Sequence, residues 1–151
     1  MPANVSHQLN NAAVAALLKS PQGGLAKDLL KRGLKVESKA KQNLGGGASY
    51  PRRIDTGRLR ASIRTVMLIV DGYPAVRVGT GLAYARFIHD GTGLYGPRGQ
   101  YIVPVNKSVL RWKLKGPVKG KLGKGGYVYA KRSAGIKPNP FLKNALSAAK
   151  N

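Results

Sequence analysis

The chain is predicted to fold as an α+β domain, a small and mainly antiparallel sheet packed by a long N-terminal helix, short helices and a C-terminal helix. Three observations predict it. Residues 25–44 repeat apolar side chains at helical spacing, residues 65–79 are two apolar runs around Asp71-Gly72, and residues 109–115 alternate apolar and basic side chains one by one. The 151 residues suit a single modest core with attached arms. Residues 1–24 are read as an N-terminal arm and residues 25–151 as the domain.

Residues 5–19 are alanine-rich and helix-compatible, and Ser20-Pro-Gln-Gly-Gly24 interrupts them, because proline restrains the residue before it and glycine weakens a helix. In residues 25–44 a helix places Leu25, Leu29, Gly33, Val36 and Ala40 on one arc, with Lys27, Lys31, Arg32, Lys35 and Lys39 opposite. Gly45-Gly-Gly47 ends it. Asp55 or Thr56 is placed to cap a short helix near Thr56, whose inner face holds Leu59 and Ile63. Residues 65–70 are apolar on both sides, as in a central strand covered on two faces, and Asp71-Gly72 turns the chain into a strand over 75–79.

After Gly79, Tyr84, Phe87 and Ile88 share one face of a short helix near Ala83, which Gly91 and Gly93 stop by taking the left-handed conformation. A helix of two turns needs its aromatic face docked on a sheet. Residues 102–105 read as an edge strand, since Pro104 has no N–H to give a ladder. In the next strand Leu110, Trp112 and Leu114 face the core and Arg111, Lys113 and Lys115 face away. Residues 127–130 return, which makes residues 109–132 a long hairpin with a glycine-rich basic tip. Asn139 and Pro140 open a last helix with Phe141, Leu142, Ala145 and Leu146 inward and Lys143 and Lys150 outward. Tyr84, Phe87, Trp112 and Phe141, each the bulkiest residue on an apolar face, are expected to share one core.

Charge narrows the partners. Twenty-seven Lys and Arg against five Asp and Glu give a formal net charge of +22. Self-repulsion at that charge is relieved beside a polyanion or an acidic protein. No apolar run approaches the ~20 residues of a membrane span, so no membrane is expected as a partner. The N-terminus lacks the basic and apolar blocks of a secretion signal. With no cysteine there is no disulfide framework and no thiolate metal site.

Three ordered pieces, Ile54-Asp-Thr-Gly-Arg-Leu-Arg-Ala-Ser-Ile63, the stretch from Gly79 to Gly93 with Tyr84 and Gly91-Thr-Gly93 inside it, and Gly135-Ile-Lys-Pro-Asn-Pro-Phe-Leu-Lys-Asn-Ala-Leu146, resemble the tail-completion proteins of long-tailed double-stranded DNA phages. The resemblance spans roughly residues 24–150. It implies a structural virion protein, made in the host cytoplasm and placed in the neck between head and tail. It further implies a homo-oligomeric, six-fold ring that joins the head-side connector to the tail terminator or tail tube and lines the passage for genomic DNA. The N-terminal extension and the lysine-rich hairpin depart from the simplest pattern of the family. The rival reading, from charge alone, is a free basic nucleic-acid-binding protein without sequence specificity.

The chemistry-bearing residues are few. His89-Asp90 is the one adjacent His and acid pair, raw material for a general base, but no nucleophile motif accompanies it and Asp90 is read as a partner for Arg86 or a neighbouring subunit. Two histidines and five scattered acids offer no ligand spacing, and neither glycine cluster has the phosphate-loop pattern. No catalysis, cofactor or metal is expected. Trp112, Tyr127 and Tyr129 amid lysines suggest a stacking platform, against which the alternation of Trp112 with Leu110 and Leu114 argues for burial. The candidate contact residues for DNA or an acidic partner are Arg111, Lys113, Lys115, Lys119, Lys121 and Lys124. Glycine-flanked cations without amide readers predict contact independent of base sequence.

Overall fold

The computed structural model describes residues 10–46, 55–113 and 126–149. The fold is α+β, with five α-helices and two separate two-stranded antiparallel sheets among the described residues. The chain divides into two compact units, one of residues 1–43, 54–81 and 141–151 and one of residues 44–53 and 82–140.

The first unit is built on one long helix. Helix α1 (Asn11–Lys19) starts where the Asn10 side chain accepts the N–H groups of Ala12 and Ala13 at 3.1 Å each, so the capping side chain satisfies two amides that lack a helical partner. It buries no residue of its own and lies against α2 and β2, with the Lys19 ammonium 5.5 Å from the centre of the Tyr73 ring. Helix α2 (Gly24–Asn43) buries Ala26, Gly33, Val36 and Ala40, an arc close to the one that its periodicity predicts.

The sheet face that α2 packs on is a seven-residue hairpin, β1 (Arg64–Val70) and β2 (Tyr73–Gly79). Its two-residue turn has positive φ at both Asp71 (52°) and Gly72 (80°), the mirror-image turn whose twist matches paired strands. Register sets which side chains meet α2. Thr65 pairs with Val78 and Met67 with Val76, and Gly33 faces both strands. A Cβ on Gly33 would sit 2.5 Å from Val76 Cγ1 and 2.8 Å from Thr65 Cγ2. The absent side chain is therefore what lets helix and sheet touch. One turn on, Glu37 accepts the Thr65 hydroxyl at 2.6 Å and Lys41 Nζ at 2.5 Å, tying helix to strand. The hydrogen bonds from Lys41 and then from Thr65 hold the Glu37 carboxyl below its ordinary range.

The expected two-sided burial of residues 65–70 is not found. Val66, Ile69, Val70 and Tyr73, drawn from both faces of the hairpin, are about half exposed. Apolarity on both sides suggests a central strand, but among the described residues the sheet has no third strand to make one.

Helix α3 (Arg58–Ser62) begins after Gly57 in the left-handed region, so neither Asp55 nor Thr56 occupies the cap position; the Thr56 hydroxyl still accepts the Arg58 N–H at 3.4 Å. Leu59 and Ile63 are buried as expected. Helix α5 (Phe141–Ala148) buries Phe141 and Ala145 against α2, and the Asn43 side chain donates to the Phe141 carbonyl at 3.1 Å. Leu146, expected inward, is 54% exposed, so the eight-residue α5 buries a narrower stripe than its periodicity allows.

The second unit opens with α4 (Ala85–Asp90), stopped by Gly91 at φ 79°. The Gly91-Thr-Gly93 stretch does more than turn. The Thr92 and Leu94 N–H groups donate to the carbonyls of Ile136 and Ala134 at 3.0 and 2.9 Å, and the Ile136 N–H donates to the Thr92 hydroxyl at 3.0 Å. Gly93 and Gly135, both at positive φ, lie so near the opposite backbone that a Cβ on either would collide with a carbonyl oxygen. A short 3-10 turn follows at Gly93–Tyr95. The expected edge strand over 102–105 is reduced to one bridge, Ile102 with Ser133, because Pro104 supplies no N–H and residues 103 and 105 find no ladder partner.

The aromatic face of α4 is not docked as expected. Tyr84 is 40% and Phe87 58% exposed, and Ala85 is the residue buried instead. Of the four large aromatics expected in one core, Phe141 alone is buried; Trp112 is 38% exposed. Among the described residues the apolar face of the hairpin that carries Trp112 is only partly covered.

Candidate polyanion-binding face

The second hairpin pairs β3 (Leu110–Lys113) with β4 (Tyr127–Ala130). Alternation within a strand and opposition across the pair fix its two faces. Leu110 and Trp112 oppose Ala130 and Val128 on one face, while Arg111 and Lys113 oppose Tyr129 and Tyr127 on the other. Arg111 and Lys113 thus point away from Leu110 and Trp112 as the sequence predicts, and both are exposed. Lys115, Lys119, Lys121 and Lys124 lie outside the described residues.

Tyr127 and Tyr129, which the sequence suggests together with Trp112 as a stacking platform, lie on the basic face without Trp112. The Arg111 guanidinium lies 3.9 Å from the centre of the Tyr127 ring, diagonally across the ladder, and Tyr129 is 51% exposed. Stacking on a ring holds a guanidinium in one orientation while leaving its N–H edges open to an anion. The usable signal was the register: with Lys113 opposite Tyr127, the return strand must place its tyrosines on the basic face.

Two more cations of this unit sit over tyrosines. Ile102 and Ser133 exchange backbone hydrogen bonds at 2.9 Å, which sets Tyr101 beside Arg132 just past the end of β4, guanidinium 4.5 Å from the ring centre. Lys137 lies 5.7 Å from the Tyr95 ring centre. Asp90 is the one acid in residues 44–53 and 82–140, so the field around these cations is uncompensated within the unit. What such a surface can do is attract and hold a polyanion through its phosphates, with exposed tyrosine faces offered to unstacked bases.

The His89-Asp90 pair is formed, Nδ1 to Oδ1 at 2.7 Å, with Arg86 Nε 3.6 Å from the other carboxylate oxygen. The hydrogen bond to His89, and then the charges of His89 and Arg86, hold the Asp90 carboxyl below its ordinary range. That arrangement makes Asp90 the i,i+4 partner of Arg86 expected from the sequence. Beside it lies a cleft of about 520 Å³ lined by Arg86, Phe87, Arg98 and Tyr101 along with the glycines of residues 91–96. Among the described residues no three His, Cys, Asp or Glu side chains gather to hold a metal ion.

Comparison of the chain with protein-family models, with curated proteins and with solved structures finds no match.

Proposed function

We propose that the chain is a structural subunit of the neck of a long-tailed double-stranded DNA phage. In this reading it forms, with further copies, a six-fold ring that joins the head-side connector to the tail terminator or tube, with its basic face toward the DNA passage. The reading starts from the resemblance carried by residues 54–63, 79–93 and 135–146. The observation that carries it further is the basic face of β3–β4, where Arg111 and Lys113 share one side of the hairpin with Tyr127 and Tyr129. Cations without base readers contact DNA independently of its sequence, which suits a passage for genomic DNA. The half-exposed Val66, Val70 and Tyr73 of the other hairpin add an apolar surface of the sort that subunits bury against neighbours.

A second reading, a freestanding basic protein that binds nucleic acid without sequence specificity, is favoured by the stack of Arg111 on Tyr127 beside an exposed Tyr129. Electron cryo-microscopy of particles bearing the protein separates the two. The neck reading expects a ring of copies around the channel at the head–tail junction. A protein missing from virions, yet binding naked DNA with an affinity that falls steeply with salt, leaves the freestanding binder.

A further inference from the structure

A second surface lies in the first unit and faces a different chemistry. Helix α2, the β1–β2 hairpin and α5 wall a groove of about 600 Å³. Leu29, Val36, Val76 and Leu142 contribute to its apolar lining, and Arg32, Arg77 and Lys143 are the cations that border it. No carboxylate lines it among the described residues. Arg32 is already engaged by Asp28 at 2.7 Å, but Arg77 and Lys143 have no carboxylate partner among the described residues. Leu146, 54% exposed, adds an apolar side chain that α5 itself leaves uncovered.

We propose that this groove receives a short acidic segment of another protein, anchored by one or two large apolar side chains, with its carboxylates on Arg77 and Lys143. The volume lies within the ~300–1,000 Å³ of pockets that hold small molecules, enough for a few side chains and too little for a folded face. Charge decides the occupant. A second copy of this chain has nothing suitable to offer, because its five acids stand alone at positions 28, 37, 55, 71 and 90 among 27 cations. The same holds for the chain's own remaining segments, since residues 1–9, 47–54, 114–125 and 150–151 contain no acid. A bilayer presents a plane, which does not enter a groove walled on three sides.

The probe is a synthetic 16-residue peptide with leucines at helical spacing and glutamates between them, tested by calorimetry against the whole chain. Two control peptides replace its leucines by serine or its glutamates by glutamine. Binding should weaken about tenfold or more in Leu146→Ser and in Arg77→Gln/Lys143→Gln, and in both control peptides. These side chains are exposed, so thermal melting should confirm intact folding; Lys143→Gln alone serves if a variant melts early. Equal binding of the serine peptide, or binding insensitive to the groove variants, would overturn the proposal. So would Leu146-dependent self-association in sedimentation, or Leu146-dependent binding to vesicles of phosphatidylglycerol in place of the peptide. The groove shares no residue with β3–β4, so failure here leaves the basic-face reading standing.

Discussion

The two hairpins use the same antiparallel geometry for opposite ends. The β1–β2 hairpin runs seven pairs, turns in two residues and is backed by α2 so tightly that Gly33 has no room for a methyl group. The β3–β4 hairpin runs four pairs, leaves Trp112 over a third exposed on its apolar side, and sets cations and tyrosines on its other side. The first is held by what packs on it, the second by its ladder and its local stacks. The difference teaches that alternation decides which side chains share a face, and only a covering element decides whether that face is core.

The largest effect that bears on this contrast compares two phenylalanines. Phe141 is 1% exposed, so Phe141→Ala should cost about 3–5 kcal/mol in chemical denaturation. Phe87 is 58% exposed, and Phe87→Ala should cost less than about 1 kcal/mol. Equal losses would mean that α4 is docked as firmly as α5, and the distinction between covered and uncovered faces would collapse.

Next in size is the contact of helix and sheet itself. Alanine in place of glycine raises helix propensity by about 1 kcal/mol, yet a Cβ on Gly33 meets Val76 and Thr65 inside van der Waals contact. Overpacking of that kind costs about 1–3 kcal/mol, so Gly33→Ala should lower the melting temperature, and a rise would show that the helix stands off the sheet.

Glu37 sharpens the same contact through pH. Its folded-state carboxyl is held below the ordinary value of 4.5, so its stabilising share is complete above that value and is lost as pH falls through the lower folded one. Glu37→Gln should cost about 1 kcal/mol near neutral pH and flatten the acid limb of a stability–pH curve. A variant whose acid limb matches the parent would remove Glu37 from the account. On the other hairpin, Trp112→Ala should cost little, about 1 kcal/mol or less, for a side chain that already meets solvent.

Much of the local architecture was legible from residues alone, and the reasons are local. Helix α2 declares itself by its period, and its observed limits fall within one residue of 25–44. Asp71-Gly72 and Gly91 are legible because their positions demand positive φ. Coverage was not legible. Residues 65–70, Phe87, Trp112 and Leu146 all carry the apolar pattern of buried faces, and whether another element reaches those faces depends on contacts far apart in sequence. The placement of Arg111 and Lys113 on the face away from Leu110 and Trp112 was legible from alternation, whereas that Tyr127 and Tyr129 share this face follows only from the register of two strands. The reverse case is Gly91-Thr-Gly93, which reads as a turn but also serves as one half of a backbone clamp with residues 134–136.

The central claim is that the second hairpin presents cations to a polyanion and that folding does not depend on them. The direct measurement is the affinity of the parent and of a variant with Arg111, Lys113, Lys119, Lys121 and Lys124 all changed to Gln for duplex DNA of mixed sequence, across a series of salt concentrations, alongside thermal melting. The account predicts a melting temperature close to the parent's, weaker binding at every salt concentration, and a log–log salt dependence shallower by about 0.9 for each changed cation that had met a phosphate. Unchanged affinity and slope, or a variant that no longer folds, would contradict it.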